Sequence, residues 1–187
     1  MLQNDTNAKL NKVLIVDPDD NVYIGQIGVL HQTVHKGYMH TLSYTSLAVV
    51  NDGYLRVRFV APADKDIHLR LAWTSEGKSR LNSYVGTTYT GDGTPIIPFN
   101  RQTGKVSNLE GTYFINPTIN VLGTRRGNDF IGASGAAASR VGGTGASDIE
   151  TIVSAGTELL VEIQNVRGSA SDLNLVANLY ERNTFGG

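Results

Sequence analysis

The feature that most constrains this chain is the two-residue period of its last long apolar stretch, from Gly156 to Arg182. Leu159, Val161 and Ile163 alternate with Leu160, Glu162 and Gln164. Beyond Arg167-Gly168-Ser169, the residues Leu173, Leu175, Ala177 and Leu179 alternate with Asn174, Val176, Asn178 and Tyr180. Successive side chains of a strand point to opposite faces, so the period predicts two strands, each with one apolar face, joined as a hairpin at the small-residue turn. Burying each large aliphatic residue contributes roughly 1.5–3 kcal/mol, so that face needs a second layer against it.

An earlier stretch predicts the second layer. Leu55, Val57 and Phe59 alternate with Arg56 and Arg58, Ala61-Pro62-Ala63-Asp64 reverses the chain, and Ile67, Leu69, Leu71 and Trp73 alternate with His68 and Arg70. The expected fold is all-β: a two-sheet antiparallel β-sandwich, jelly-roll-like, with each hairpin supplying a layer and Trp73 spanning a core about 10 Å thick. The same alternation places Arg56, Arg58, His68 and Arg70 together on the outward face of one hairpin, facing solvent or a partner subunit.

The rest of the chain fits a single domain over 13–187, preceded by an extended polar arm over 1–12 whose apolar anchors are Leu2, Ala8 and Leu10. Lys12 to Val16 and Asn21 to Ile24 flank Asp17-Pro18-Asp19-Asp20 and predict a short hairpin. Asp17, Asp19 and Asn21 have the opening spacing of a calcium loop, but Val22 and Gly28 stand where that loop needs glycine and glutamate. Between Ser79 and Asn120, short strands alternate with Gly-rich turns, and Pro95, Pro98 and Pro117 suit edges or strand ends. Residues 123–148 read as a long Gly-rich loop carrying Arg125, Arg126 and Arg140 in exposed positions, with one helical turn at Ala136-Ala137-Ala138.

Chemistry is sparse. Sixteen basic residues nearly balance 17 acidic ones, for a net charge of −1, which argues against a nucleic-acid surface or an anionic membrane as partner. There is no cysteine, no signal-peptide pattern at the N-terminus and no transmembrane-length apolar run, so the expectation is a soluble protein made in the cytoplasm. His31, His35, His40 and His68 lack the HExxH or HxH spacing of metal ligands, and neither a G-x-S-x-G elbow nor a phosphate-binding lysine loop occurs. The Asp64/Asp66 and Asp19/Asp20 pairs fall in turns. No catalytic residue, metal site or cofactor is expected.

Several segments in order, VHKGYMHT, KDIHLRL, GTPIIPFNRQ, NPTIN and ETIVSAGTELLVEIQNVRGSASDLNLVANLYE, resemble the β-sandwich structural proteins of tailed-phage virions, the capsid decoration, auxiliary or cement proteins. The resemblance covers His35 to Glu181, and its closing segment is the most specific part. It implies a homotrimer on the capsid exterior, bound to the major capsid protein at threefold positions and holding capsomers together. It carries no catalytic motif. On this reading the arm, through Leu2, Leu10 and Lys12, is the expected capsid contact, since an extended segment can add a strand to a sheet edge and three arms multiply a weak contact. The alternative is a fibre, receptor-binding or sugar-binding module using Tyr84, Tyr89 and Arg125 or Arg126. An enzyme on the same scaffold would need a metal or paired carboxylates that the sequence does not place.

Overall fold

The strands that build the core, Tyr54–Val60, Lys65–Ser75, Glu158–Asn165 and Ser171–Asn183, are the alternating segments, each with an apolar phase turned inward. The computed structural model describes residues 12–16, 22–26, 34, 36–131 and 150–184. Strands β1 (Lys12–Val16) and β2 (Val22–Gln26) pair antiparallel as expected, Leu14 opposite Ile24, and form a separate two-stranded sheet. The body contains β3 (His40–Val49), β4 (Tyr54–Val60), β5 (Lys65–Ser75), β6 (Ser79–Val85), β7 (Thr88–Gly91), β8 (Thr94–Pro95), β9 (Phe99–Asn100), β10 (Thr112–Ile115), β11 (Thr118–Val121), β12 (Thr124–Ile131), β13 (Thr151–Val153), β14 (Glu158–Asn165) and β15 (Ser171–Asn183).

A six-stranded sheet in the order β12-β6-β14-β4-β10-β8 packs against a five-stranded sheet in the order β13-β5-β15-β3-β9, and β11 and β7 form a two-stranded ribbon. All pairings are antiparallel. Leu55, Val57, Phe59, Val161 and Ile163 from one sheet meet Ile67, Leu69, Leu173, Leu175 and Leu179 from the other, and Trp73 lies among them at 5 % exposure. The chain is thus an antiparallel β-sandwich with the core residues that alternation predicts.

The pairing of those strands corrects the sequence reading. Neither alternating pair is a hairpin: β4 and β14 are neighbours in the six-stranded sheet, while β5 and β15 are neighbours in the five-stranded one. The links at 61–64 and 166–170 therefore step from one layer to the other. Alternation dictates which face is apolar but not which strand lies alongside, and four or five residues at about 3.3–3.6 Å each can cross the ~10 Å between sheets.

Polar groups fasten these crossings. Asn165, fully buried, donates from Nδ2 to the Val49 and Ser169 carbonyls, both at 2.7 Å, and its Oδ1 accepts from the Arg167 amide at 2.9 Å. Glu181 accepts from the Glu110 and Gly111 amides at 2.9 and 2.7 Å and from the Tyr113 hydroxyl at 3.1 Å, tying β15 to the approach to β10 in the opposite sheet. Burial, reinforced by the Glu181 charge, raises the Tyr113 hydroxyl well above its ordinary pKa. Pro95 lies on an edge strand, where its missing N–H leaves no ladder bond unmade.

A second correction concerns the expected loop over 123–148. Its first third is β12, an edge strand paired with β6 from Thr124 opposite Val85 to Ile131 opposite Ser79, with a bulge between Arg125 and Gly127. A polar sequence holds this strand because the backbone ladder needs no apolar side chain at an open edge. Gly37 lies in the turn before β3 with φ +72°, a conformation other residues rarely adopt.

Candidate binding surfaces

The densest chemistry lies on the outer face of the six-stranded sheet. Cross-strand register sets Asn128, Asn82, Glu162 and Arg56 in one row and Arg125, Tyr84, Leu160, Arg58 and Phe114 in the next. Arg56 Nε donates to Glu162 Oε2 at 2.8 Å, and its guanidinium lies 4.4 Å above the Tyr54 ring centre. Glu162 is only 2 % exposed, so its charge depends on that partner. Beside it Asn82, 4 % exposed, has an Oδ1 with no partner among the described residues.

Arg58 is the hub of the second row. Its Nε donates to Glu158 at 2.9 Å and Nη1 to Asp92 at 2.7 Å, while the guanidinium sits 4.1 Å from the Tyr89 ring centre and 5.6 Å from that of Phe114. Burial works against the Arg58 charge, but the bonds to Glu158 and Asp92 outweigh it and raise the pKa. Because Tyr89 belongs to β7 and Asp92 follows it directly, Arg58 clamps the β7–β11 ribbon to the sheet. Burial first, then the Glu158 charge, pushes the Tyr89 hydroxyl up to about 12.

The expected quartet of Arg56, Arg58, His68 and Arg70 is not brought together. The first two are on β4 and the last two on β5, so the pairs lie on opposite outer faces of the sandwich. The cause is the layer crossing at 61–64. Nor is His68 a free surface group: it is 9 % exposed, stacked on Tyr180 with ring centres 4.6 Å apart, and its Nδ1 lies 3.1 Å from a Glu150 oxygen, an electrostatic contact outside hydrogen-bond geometry. Arg125 and Arg126 are exposed, but on the edge strand β12 and not in a loop. Arg125 stands opposite Tyr84 in register. Lys12 opens β1, whereas Leu2, Leu10, His31, His35, Arg140 and the Ala136–Ala138 turn lie outside the described residues.

One surface has no counterpart in the sequence reading. Asn100 Nδ2 donates to the Gly37 and Val106 carbonyls at 2.8 and 3.3 Å, and the Arg101 amide to the Met39 carbonyl at 2.9 Å. These bonds gather Tyr38, Phe99 and Val106 at one corner, at 52, 58 and 85 % exposure, with Ile97 two residues away at 81 %. Below them His40 is fully buried; desolvation lowers its pKa against the opposing pull of the Tyr38 carbonyl and Glu181. The available signal was Ile97-Pro98-Phe99, apolar residues held out of alternation by a proline.

No protein-family model matches the chain, and neither the curated proteins nor the solved structures contain a match to it. Among the described residues no cluster of three or more His, Cys, Asp or Glu side chains could hold a metal ion, and no helix is long and apolar enough to cross a membrane.

Proposed function

We propose that the protein is a virion structural protein, a capsid decoration or cement protein that binds the major capsid protein on the outside of an icosahedral head as a homotrimer. The observation that carries this reading is the corner of Tyr38, Ile97, Phe99 and Val106, which exposes four large apolar side chains. Aromatic and aliphatic residues gathered on a rigid frame suit a protein partner. The frame is the five-stranded sheet, reached through the β3–β9 pairing of His40 with Asn100. The family resemblance of the closing segment supplies the trimer, and the chain ahead of β3, with Leu2, Leu10 and Lys12, adds contacts of its own. Avidity across three subunits then makes modest single contacts sufficient.

The test mixes purified protein with heads lacking it, pellets them and counts bound copies against the shell subunit. A saturable copy number in simple proportion is expected, and it should collapse in an Ile97→Lys/Phe99→Lys variant of unchanged melting temperature. No binding, or binding indifferent to both substitutions, overturns the reading. Sedimentation equilibrium should return three times the 20.1 kDa chain mass.

A second reading, a receptor-binding or sugar-binding module, is favoured by Tyr84 and Arg125 standing side by side on the outer face. Tyr54 and Tyr89 serve it less well, because a guanidinium already occupies a face of each ring. A glycan array is its measurement: binding lost in Tyr84→Ala would support it, and a blank array would remove it.

A further inference from the structure

At the side of the sandwich where β12 edges one sheet and β13 the other, a cavity of about 600 Å³ opens between the layers, walled by Leu71, Trp73, Leu81, Val85, Val153 and Leu159. Protein interiors are close-packed, and a space of this size falls among small-molecule sites, which span about 300–1,000 Å³. One inward position of the outermost strand pair is filled by small residues on both strands. Gly127 of β12 faces Ser83 of β6, where large residues in both places would close the layer.

Among the described residues, the charged groups around the cavity are three. Glu158 is engaged by Arg58. Arg126, the extra residue of the bulge, lines the mouth and has no ion pair or hydrogen bond among the described residues. Asp129 lies three residues further along the same strand, about 10 Å away at the rise of an extended chain. A ligand with an anionic head would pair with Arg126 and lay its apolar body against Trp73, while Asp129 would repel the reversed pose.

We propose that this cavity binds a small anionic amphiphile, an aliphatic carboxylate, with its head on Arg126 and its chain between the two sheets. The site is separate from the apolar corner, so it stands or falls independently of the capsid reading. Trp73, the single tryptophan, is a built-in reporter. Titration of the full-length protein with dodecanoate below its micellar concentration should change tryptophan emission saturably, with one ligand per chain by calorimetry. Dodecanol should bind about tenfold more weakly, the usual scale of one charge-assisted contact. Arg126→Gln should reduce dodecanoate to the affinity of dodecanol and leave dodecanol unaffected. Ser83→Phe, which fills the cavity, should abolish both; should it fail to fold, Arg126→Gln, an exposed substitution, still decides the matter. Flat emission and flat calorimetry overturn the proposal, as does dodecanoate binding that Arg126→Gln leaves unchanged.

Discussion

The outer face of the six-stranded sheet and the outer face of the five-stranded sheet arise from the same alternation and end in different physical states. On the five-stranded sheet, Ala72, Val176 and Ser43 form one row and Thr74, Asn174 and Thr45 the next. Short side chains bond laterally there, Thr41 to Asn178 at 2.8 Å and Thr45 to Asn174 at 3.0 Å, and Ser43 and Thr45 stay exposed. On the six-stranded sheet the outward residues are Arg, Glu, Tyr and Leu, and Leu160, Glu162 and Asn82 are 0, 2 and 4 % exposed. Outward phase therefore does not mean solvent: the six-stranded sheet buries polar and apolar side chains on its far side as well, beside the guanidinium groups of Arg56 and Arg58.

Arg56→Ala should break this contrast most sharply. It leaves Glu162 charged and buried without its partner, a loss of roughly 3 kcal/mol at the lower end for a broken buried pair. Asn178→Ala on the opposite face removes one lateral hydrogen bond to Thr41 and should cost about 1 kcal/mol. Urea unfolding of both variants measures the gap, and equal losses would mean that the two faces do not differ in energy. Leu160→Ala carries the comparison to apolar groups. As a fully buried leucine it should cost about 3 kcal/mol, although its phase is outward, whereas Val176→Ala, half-buried on the other sheet, should cost less than about 1 kcal/mol.

How far the sequence foretold this molecule can be followed residue by residue. The inward phase of Leu55, Val57 and Phe59, and of Leu173, Leu175 and Leu179, follows from alternation alone because one buried face is a local pattern. Strand partners are not local: turn residues such as Ala61-Pro62-Ala63-Asp64 allow a reversal within a sheet or a step between sheets, and the step is what separates Arg56 and Arg58 from His68 and Arg70. Strand β12 escaped notice because Arg125 to Asp129 has no apolar period and owes its extension to backbone pairing with β6. The burial of Leu160 and Glu162 involves flanking side chains of β4 and β6, Arg58 and Tyr84 beside Leu160 and Arg56 and Asn82 beside Glu162, which no short window brings together.

The ribbon's attachment has a pH signature that sharpens the contrast. The Tyr89 pKa, about 12, exceeds the ordinary phenol value of 10.0, so between them the folded chain keeps a proton that the unfolded chain has lost. Stability from this group is complete below pH 10 and declines as pH rises toward 12. Melting temperature should fall over that window, and amide exchange should quicken in β7 and β11 before β3 and β15. Tyr89→Phe should flatten this part of the pH dependence. A profile unchanged by that substitution would place the sensitivity elsewhere, Tyr113 being the next phenol to consider.

The smallest effect belongs to Thr45→Val. Both side chains are β-branched and fit a strand equally well, so the change removes one exposed hydroxyl and its 3.0 Å bond to Asn174 while keeping shape and backbone preference. On a solvated face water takes over the Asn174 amide, and the loss should stay within about 0.5 kcal/mol. The measurement is most informative at two concentrations, one that favours monomer and one that favours assembly. A loss that grows with assembly would mean that a neighbouring subunit covers the Thr and Asn rows, making the open sheet an interface; a small loss at both would leave those rows a solvated surface.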